Sequence, residues 1–163
     1  MKMNNSVVIV PAKEEHLQAA GDIAIAAWTP IRAGFRDLLG DEIYEAQFAN
    51  WQEAKRNTTC TQLMRGRGYV ALLDGKVVGY ISYHIHEETK TGEIVGNAVS
   101  AEARGMGIGP KMYQFVLDKM REEGMIFARV HTGLDDGHAP ARRAYEKAGF
   151  EKNLPSVDYF MKL

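Results

Sequence analysis

The spacing of hydrophobic and polar positions changes several times along this chain, and each change predicts an element. Val7 to Val10 is a short β-branched run stopped by Pro11, which predicts a first strand. Leu17, Ala20, Ala24 and Ala27 recur at i, i+3, i+7 and i+10, one face of a helix, with Glu14, Glu15 and Gln18 elsewhere on its surface. Pro30 and Gly34 interrupt that pattern, and a second helix is expected over Asp41 to Glu53, carrying Ile43, Phe48 and Trp51. Tyr69 to Leu73 and Lys76 to His86 are β-rich runs separated by Asp74-Gly75, a hairpin signal that favours positive φ. After the polar turn Glu87 to Gly92, Glu93 to Val99 predicts another strand. The helix Met112 to Glu123 buries Met112, Phe115, Val116 and Met120 and ends at Gly124, which suits the left-handed cap. Ile126 to His131 is an apolar strand, and Asp135-Asp136-Gly137 turns the chain. A last helix, Ala139 to Ala148, has Pro140 in its first turn, aligns Ala141, Tyr145 and Ala148, and stops at Gly149. Strands near Phe150 to Lys152 and Val157 to Leu163 are expected to finish the chain. With no repeat, low-complexity tract or linker, the pattern predicts a single domain over 1–163 of mixed α/β class.

Composition narrows the partners. A chain of 163 residues can bury roughly two-thirds of its unfolded surface. Acidic and basic residues nearly cancel, 21 against 20, so no strong field points to nucleic acid or to an anionic membrane. The single Cys60 cannot close an intramolecular disulfide, and no apolar run approaches the roughly 20 residues of a membrane span. Met1 to Ser6 lacks the apolar core and cleavage site of a secretion signal, so a soluble, reducing, cytoplasmic setting is expected.

The chemistry concentrates at Arg104-Gly105-Met106-Gly107-Ile108-Gly109, between a strand and a helix. Glycines let backbone approach an anion, and the first N–H groups of a helix have no intrahelical partner, so the stretch outlines a phosphate site. Its glycines fall at every second position, which does not match the dinucleotide spacing Gly-x-Gly-x-x-Gly. His84, His86 and Glu88 alternate along one strand face. Zinc sites want three or four ligands, and with no cysteine or further histidine assisting, this run reads as a polar pocket wall and no metal is expected. Trp28 to Arg36 mixes aromatic, cationic and hinge residues in a connection that is a candidate ligand contact.

A second block, His138-Ala139-Pro140-Ala141-Arg142-Arg143-Ala144-Tyr145-Glu146-Lys147-Ala148-Gly149-Phe150, follows the glycine stretch with one helix and one strand between them. Together the two blocks resemble the GCN5-related N-acetyltransferase (GNAT) superfamily. The first matches its signature of Gln or Arg, two residues, Gly, one residue, then Gly or Ala at Arg104, Gly107 and Gly109. The second matches its later segment at Ala141, Tyr145, Gly149 and Phe150, with His138 where the family usually has Asn. The resemblance implies a mostly antiparallel sheet with two splayed parallel strands and flanking helices. It also implies direct transfer of the acetyl group of acetyl-CoA to a primary amine of a small molecule or peptide.

Roles follow residue by residue from that resemblance. Backbone amides from Arg104, Gly105, Met106, Gly107, Ile108 and Gly109 would cradle the CoA pyrophosphate, with Pro110 donating none. Asn97, Ala98 and Val99 would pair with the pantetheine arm, admitted between Glu93 to Val99 and Ile126 to His131. An N–H near Val99 would polarise the thioester carbonyl, and Tyr145 would protonate the departing thiolate. His138 and Ala141 would touch CoA. A phenol of ordinary pKa near 10 can protonate a thiolate, an effect of about 10²- to 10⁴-fold. For the base, Glu93 is the candidate, with Glu87, Glu88 and His131 as rivals. Trp28, Arg32, Phe35, His84, His86 and His131 would contact the acceptor, although Trp28 and Phe35 equally suit a cap on the core. This mixture would suit a cationic polar amine. Homodimers are common in the superfamily, and the C-terminal strand is a candidate for pairing across an interface. The alternative reading is a module of the same fold that binds acetyl-CoA without turnover, for which Tyr145 would be dispensable as an acid.

Overall fold

The computed structural model describes residues 6–163. Of the leader reading, only Ser6 falls among them. One five-stranded sheet in the order β1-β2-β3-β4-β5 organises the described residues. Its strands are β1 (Val8–Pro11), β2 (Gly68–Leu73), β3 (Lys76–His86), β4 (Thr91–Val99) and β5 (Phe127–Val130). The first four pair antiparallel and β4 pairs parallel with β5, the mixed sheet that the resemblance implies. Asp74 (φ 51) and Gly75 (φ 80) turn the β2–β3 hairpin in left-handed backbone. Pro11 stays in pairing register with Tyr69 because β1 is an edge strand, where a missing N–H costs no ladder bond.

Helices cover both faces. On one, α3 (Ile108–Glu122) and α4 (Ala139–Ala148) pack Met112, Val116, Met120 and Tyr145 against Ile81, Tyr83 and Ile94. On the other, α1 (Glu14–Phe48) and α2 (Trp51–Leu63) pack Ala20, Ile23, Ala24 and Leu63 against Val70 and Tyr80. His16 reaches back from the first turn of α1, its Nδ1 accepting from the Lys13 N–H at 3.1 Å. Among the described residues no helix is long and apolar enough to cross a membrane.

The structure departs from the sequence pattern in three places. Helix α1 continues through Pro30 and Gly34 and breaks at Gly40 (φ 75, ψ 161). Ala26 and Pro30 share an exposed face, so the carbonyl that loses its helical donor is left to water, while Thr29 Oγ1 donates to the Ile25 carbonyl at 2.8 Å. The second helix divides likewise: 41–48 belongs to α1 after the break, and α2 carries helix on to Leu63 through a polar stretch with little apolar periodicity. The two expected C-terminal strands are absent. The N–H of Phe150 closes the end of α4 on the Tyr145 carbonyl, and Glu151 to Leu163 lies exposed without strand pairing. Apolar alternation from Val157 to Leu163 makes no strand unless backbone partners accept it, and Pro155 deprives the approach of one donor.

Two contacts tie α2 and α3 to the sheet. Gly68 opens β2 where the α2 backbone turns over it: a Cβ there would collide with the Leu63 backbone. Beside it, Arg67 Nε (2.9 Å) and Tyr83 Oη (2.5 Å) both donate to the Glu123 carboxylate. The Arg67 bond holds that carboxyl below its ordinary pKa despite partial burial.

Gly68→Ala is expected to lower the thermal midpoint by the equivalent of about 1–3 kcal/mol, since backbone on backbone cannot relax by a rotamer change. Wild-type refolding midpoints in denaturant are the comparison. For Glu123→Gln the loss should be about 1–3 kcal/mol at neutral pH. Because the folded pKa is lowered, this stability is present above the unfolded value of about 4.3 and vanishes as pH falls through the folded one. Urea midpoints of the two proteins should therefore converge in acid; a gap independent of pH would assign the effect to packing.

Candidate active site

The site is built around an early end to strand pairing. β4 and β5 match from Thr91↔Phe127 to Ile94↔Val130, where β5 stops, whereas β4 runs on to Val99. Val95 to Val99 therefore offers one backbone edge to a V-shaped opening. The Ser100 N–H bonds the Val78 carbonyl on β3 at 2.8 Å, so strand alternation turns the N–H groups of Asn97 and Val99 the other way, into the V.

A bulge in the same stretch divides its side chains between the two faces. Asn97 pairs with Ile81 and Gly96 with Ser82, but Tyr83 pairs with Ile94, leaving Val95 as an extra residue. Glu93 and Asn97, four apart, would share a face in a regular strand. Here Asn97 lies opposite Ile81 on the α3/α4 face, and Glu93 lies opposite His84 on the α1/α2 face. Asn97 is bonded twice, its Nδ2 donating to Tyr145 Oη at 2.9 Å and its Oδ1 accepting from Tyr113 Oη at 2.9 Å. Tyr145 thus receives a hydrogen bond and keeps its own proton for another acceptor. Burial, partly opposed by the Asn97 bond, raises its pKa, so the phenol is protonated at neutral pH. Tyr113 is raised too, mainly by burial.

The glycine stretch crosses the end of β4. A short 3₁₀ turn, Ala101–Ala103, leads to Gly105 (φ 79) and Gly107 (φ 75), whose left-handed backbone other residues adopt only with strain. No atom lies within 4 Å of where a Cβ would stand at either, so conformation and not crowding requires them. Arg104 to Gly107 is exposed, Ile108 is buried beneath it, and no side chain caps α3. The leading N–H groups of α3 consequently face outward beside the V, a cradle fit for phosphate oxygens.

Helix α4 is anchored by its own loop. Arg142 Nη1 donates to the carbonyls of Gly133 (2.7 Å) and Asp135 (2.8 Å), bracing the connection from β5. His138 is buried, its Nδ1 2.6 Å from Asp135 Oδ1, its ring edge-on to Trp28 and tilted against Phe35. The histidine that stands for the family's asparagine is therefore turned toward α1. Ala141 is half-buried against the core on α4, and Ala98 packs with the α1/α2 cluster.

Around His138 stands an aromatic box. The Arg32 guanidinium carbon lies 4.4 to 5.7 Å from the ring centres of Phe48, Trp28, Phe35 and Trp51. Lys55 Nζ sits 4.1 Å over Trp28. Arg32 Nε and Nη1 are sealed from water without a partner, an arrangement that costs about 1–3 kcal/mol per group and is offset in part by the rings. Burial lowers the Arg32 pKa, and burial together with the charge of Arg32 pushes Lys55 down to about 8.

The remaining candidates lie apart from Tyr145. Glu93 is held by His86 Nε2 at 2.8 Å, with Arg129 Nε at 3.7 Å, where β4 and β5 are still paired. Four residues of strand separate it from Asn97, about 13 Å. His84 is half-buried on the same face, and His131 is exposed just past the end of β5. Tyr113 and Lys55 escaped the sequence reading, and Phe48 and Trp51 were read only as apolar positions of the second helix. Trp51 and Lys55, four apart, carried a helical signal, whereas only the fold brings Tyr113 to Asn97.

Comparison with known proteins agrees with this fold. Human N-acetylaspartate synthetase is 31% identical over 99 residues, covering 57% of this chain and 30% of that protein. The chain thus spans under a third of the length of the curated relatives it matches. Among solved structures, PaiA N-acetyltransferase from Thermoplasma acidophilum in complex with coenzyme A superposes with a TM-score of 0.70, at 18% identity over 90% of each chain. The IAA acetyltransferase from Bacillus cereus ATCC 14579 superposes at 0.65, with 26% identity over 95% of this chain and 83% of that one. A sequence model of the Acetyltransferase (GNAT) family matches residues 33–150, from within α1 through the V to the end of α4, and the chain belongs to that family.

Proposed function

We propose that this protein transfers the acetyl group of acetyl-CoA directly to a primary amine of a small molecule or peptide. The observation that carries the reading is the Tyr145 hydroxyl, held by Asn97 beside the unpaired edge of β4 with its proton uncommitted. Family membership and a relative named for N-acetylaspartate synthesis support it.

Acetyl-CoA supplies an activated acyl thioester, and the residues here fit such a group. Gly105, Gly107 and the uncapped start of α3 would receive its pyrophosphate. The edge from Asn97 to Val99 would pair with the pantetheine arm as a strand does, and the Val99 N–H would donate to the thioester carbonyl oxygen as negative charge develops there. Tyr145 gives its proton to the sulfur as the C–S bond breaks and the new N–C bond forms. The amine must lose a proton, and Glu93 is the base we propose, reached through water because of its distance along β4. With Cys60 bonded to the Leu17 carbonyl between α1 and α2, no enzyme thiol enters the reaction.

Two measurements test this. A thermal-shift titration should give stabilisation with acetyl-CoA and CoA and none with NAD, as a ligand held only by the native state raises stability by RT ln(1 + [L]/Kd). No shift with either CoA species withdraws the assignment. Tyr145→Phe should then lower turnover at least tenfold, read as thiol release over a panel of amines, with acetyl-CoA binding retained. Unchanged turnover removes Tyr145 from the chemistry; binding without any turnover in wild type supports a sensing module.

A further inference from the structure

We propose that the box around Arg32 and Lys55 is the acceptor's carboxylate subsite, so that the preferred acceptor is an amino acid or another amine bearing a carboxylate. This rests on the acetyl-transfer reading above and narrows the expectation of a cationic polar amine.

The argument begins with a contrast among the arginines of the first two helices. Arg36 is paired with Asp41 and Glu45, and Arg56 with Asp22. Arg32, more enclosed than Arg36, has no carboxylate within ion-pair distance among the described residues. Two of its nitrogens are sealed and unpartnered. Lys55 stands over the same Trp28 and, among the described residues, also has no ion-pair partner. Two cations thus share one box without a counter-charge. Asp135, on the loop below, is turned to His138. The rings attract each cation, but they do nothing for the repulsion between the two. A carboxylate at Nη2, the guanidinium nitrogen of Arg32 that is left unsealed, would offset both charges.

Position favours an acceptor over CoA. The box is formed by α1, α2 and the His138 turn, on the side of the sheet that Glu93 faces. The outward N–H groups of α3 lie on elements of the opposite face. His138 closes the box four residues after Leu134, on the chain that leaves β5 at the mouth of the V. An amine entering toward Val99 from this side would bring a carboxylate past those rings.

The test compares amines that differ only by a carboxylate: L-leucine with 3-methylbutylamine, and L-phenylalanine with 2-phenylethylamine, with spermidine as a polycation. At saturating acetyl-CoA the carboxylated partner is expected to show at least tenfold higher kcat/KM than the amine lacking that group, carried mainly by KM. Arg32→Gln should collapse the preference to within about threefold. Lys55→Met, which keeps an unbranched stem against Trp28, should reduce it as well, and serves if Arg32→Gln fails to fold. Equal or better use of the decarboxylated amines or spermidine overturns the proposal. So does an Arg32→Gln protein that weakens acetyl-CoA as much as the acceptor, which would give the box to CoA. If no amine is acetylated, thermal shift by L-leucine decides. A shift in wild type that Arg32→Gln removes upholds the subsite, and no shift, or the same shift in both proteins, sinks it. The acetyl-CoA titration independently reports whether the transfer reading itself has failed.

Discussion

Everything at this site depends on β5 stopping before β4 does. A parallel pair that continued to Val99 would satisfy the N–H groups of Asn97 and Val99 with backbone, and the sheet would present a closed surface. Stopping at Ile94↔Val130 leaves buried-side donors in search of acceptors, and a strand edge with that need pairs readily with any extended, amide-bearing molecule. The chain does not cover this edge with its own C-terminal segment, which lies exposed from Glu151 onward.

The bulge at Val95 adds the second constraint. One extra residue reverses the sense of alternation, sending Asn97 to the tyrosines of α3 and α4 while Glu93 remains with the histidines of β3. A slip of this size is enough because side chains alternate with a period of two. Asn97 then acts as a strut between Tyr113 and Tyr145, and two helices from different parts of the sequence meet on one amide.

The parts of the fold that were legible in the sequence are those where a local rule has a single solution. Asp74-Gly75 is such a place, as are the left-handed Gly105 and Gly107 and the Gly149 stop of α4. The glycine stretch and Tyr145 were readable because their spacing matches a family pattern. Illegible were features settled by something distant. Pro30 looks like a helix stop, yet its exposed face lets α1 run on to Gly40. The polar run from Gln52 to Thr61 has no strong periodicity and is held helical by packing under the sheet, which hid Lys55 from view. Val157 to Leu163 has the alternation of a strand, but pairing needs a partner that alternation cannot name. The bulge left no mark in the sequence, so the separation of Glu93 from Asn97 could not be anticipated.

The two faces of the sheet also differ in what a mutation can reach. Asn97, Tyr113 and Tyr145 interlock, and changing one leaves the others with unpaired buried groups. Arg32, Phe48, Trp51 and Lys55 sit on α1 and α2, which pack on the face of the sheet opposite that triad. Substitutions can accumulate in the box without disturbing the tyrosines. With the box as the proposed acceptor subsite, a lineage, or an engineer, could exchange what is recognised on one face while the opposite face stays as it is.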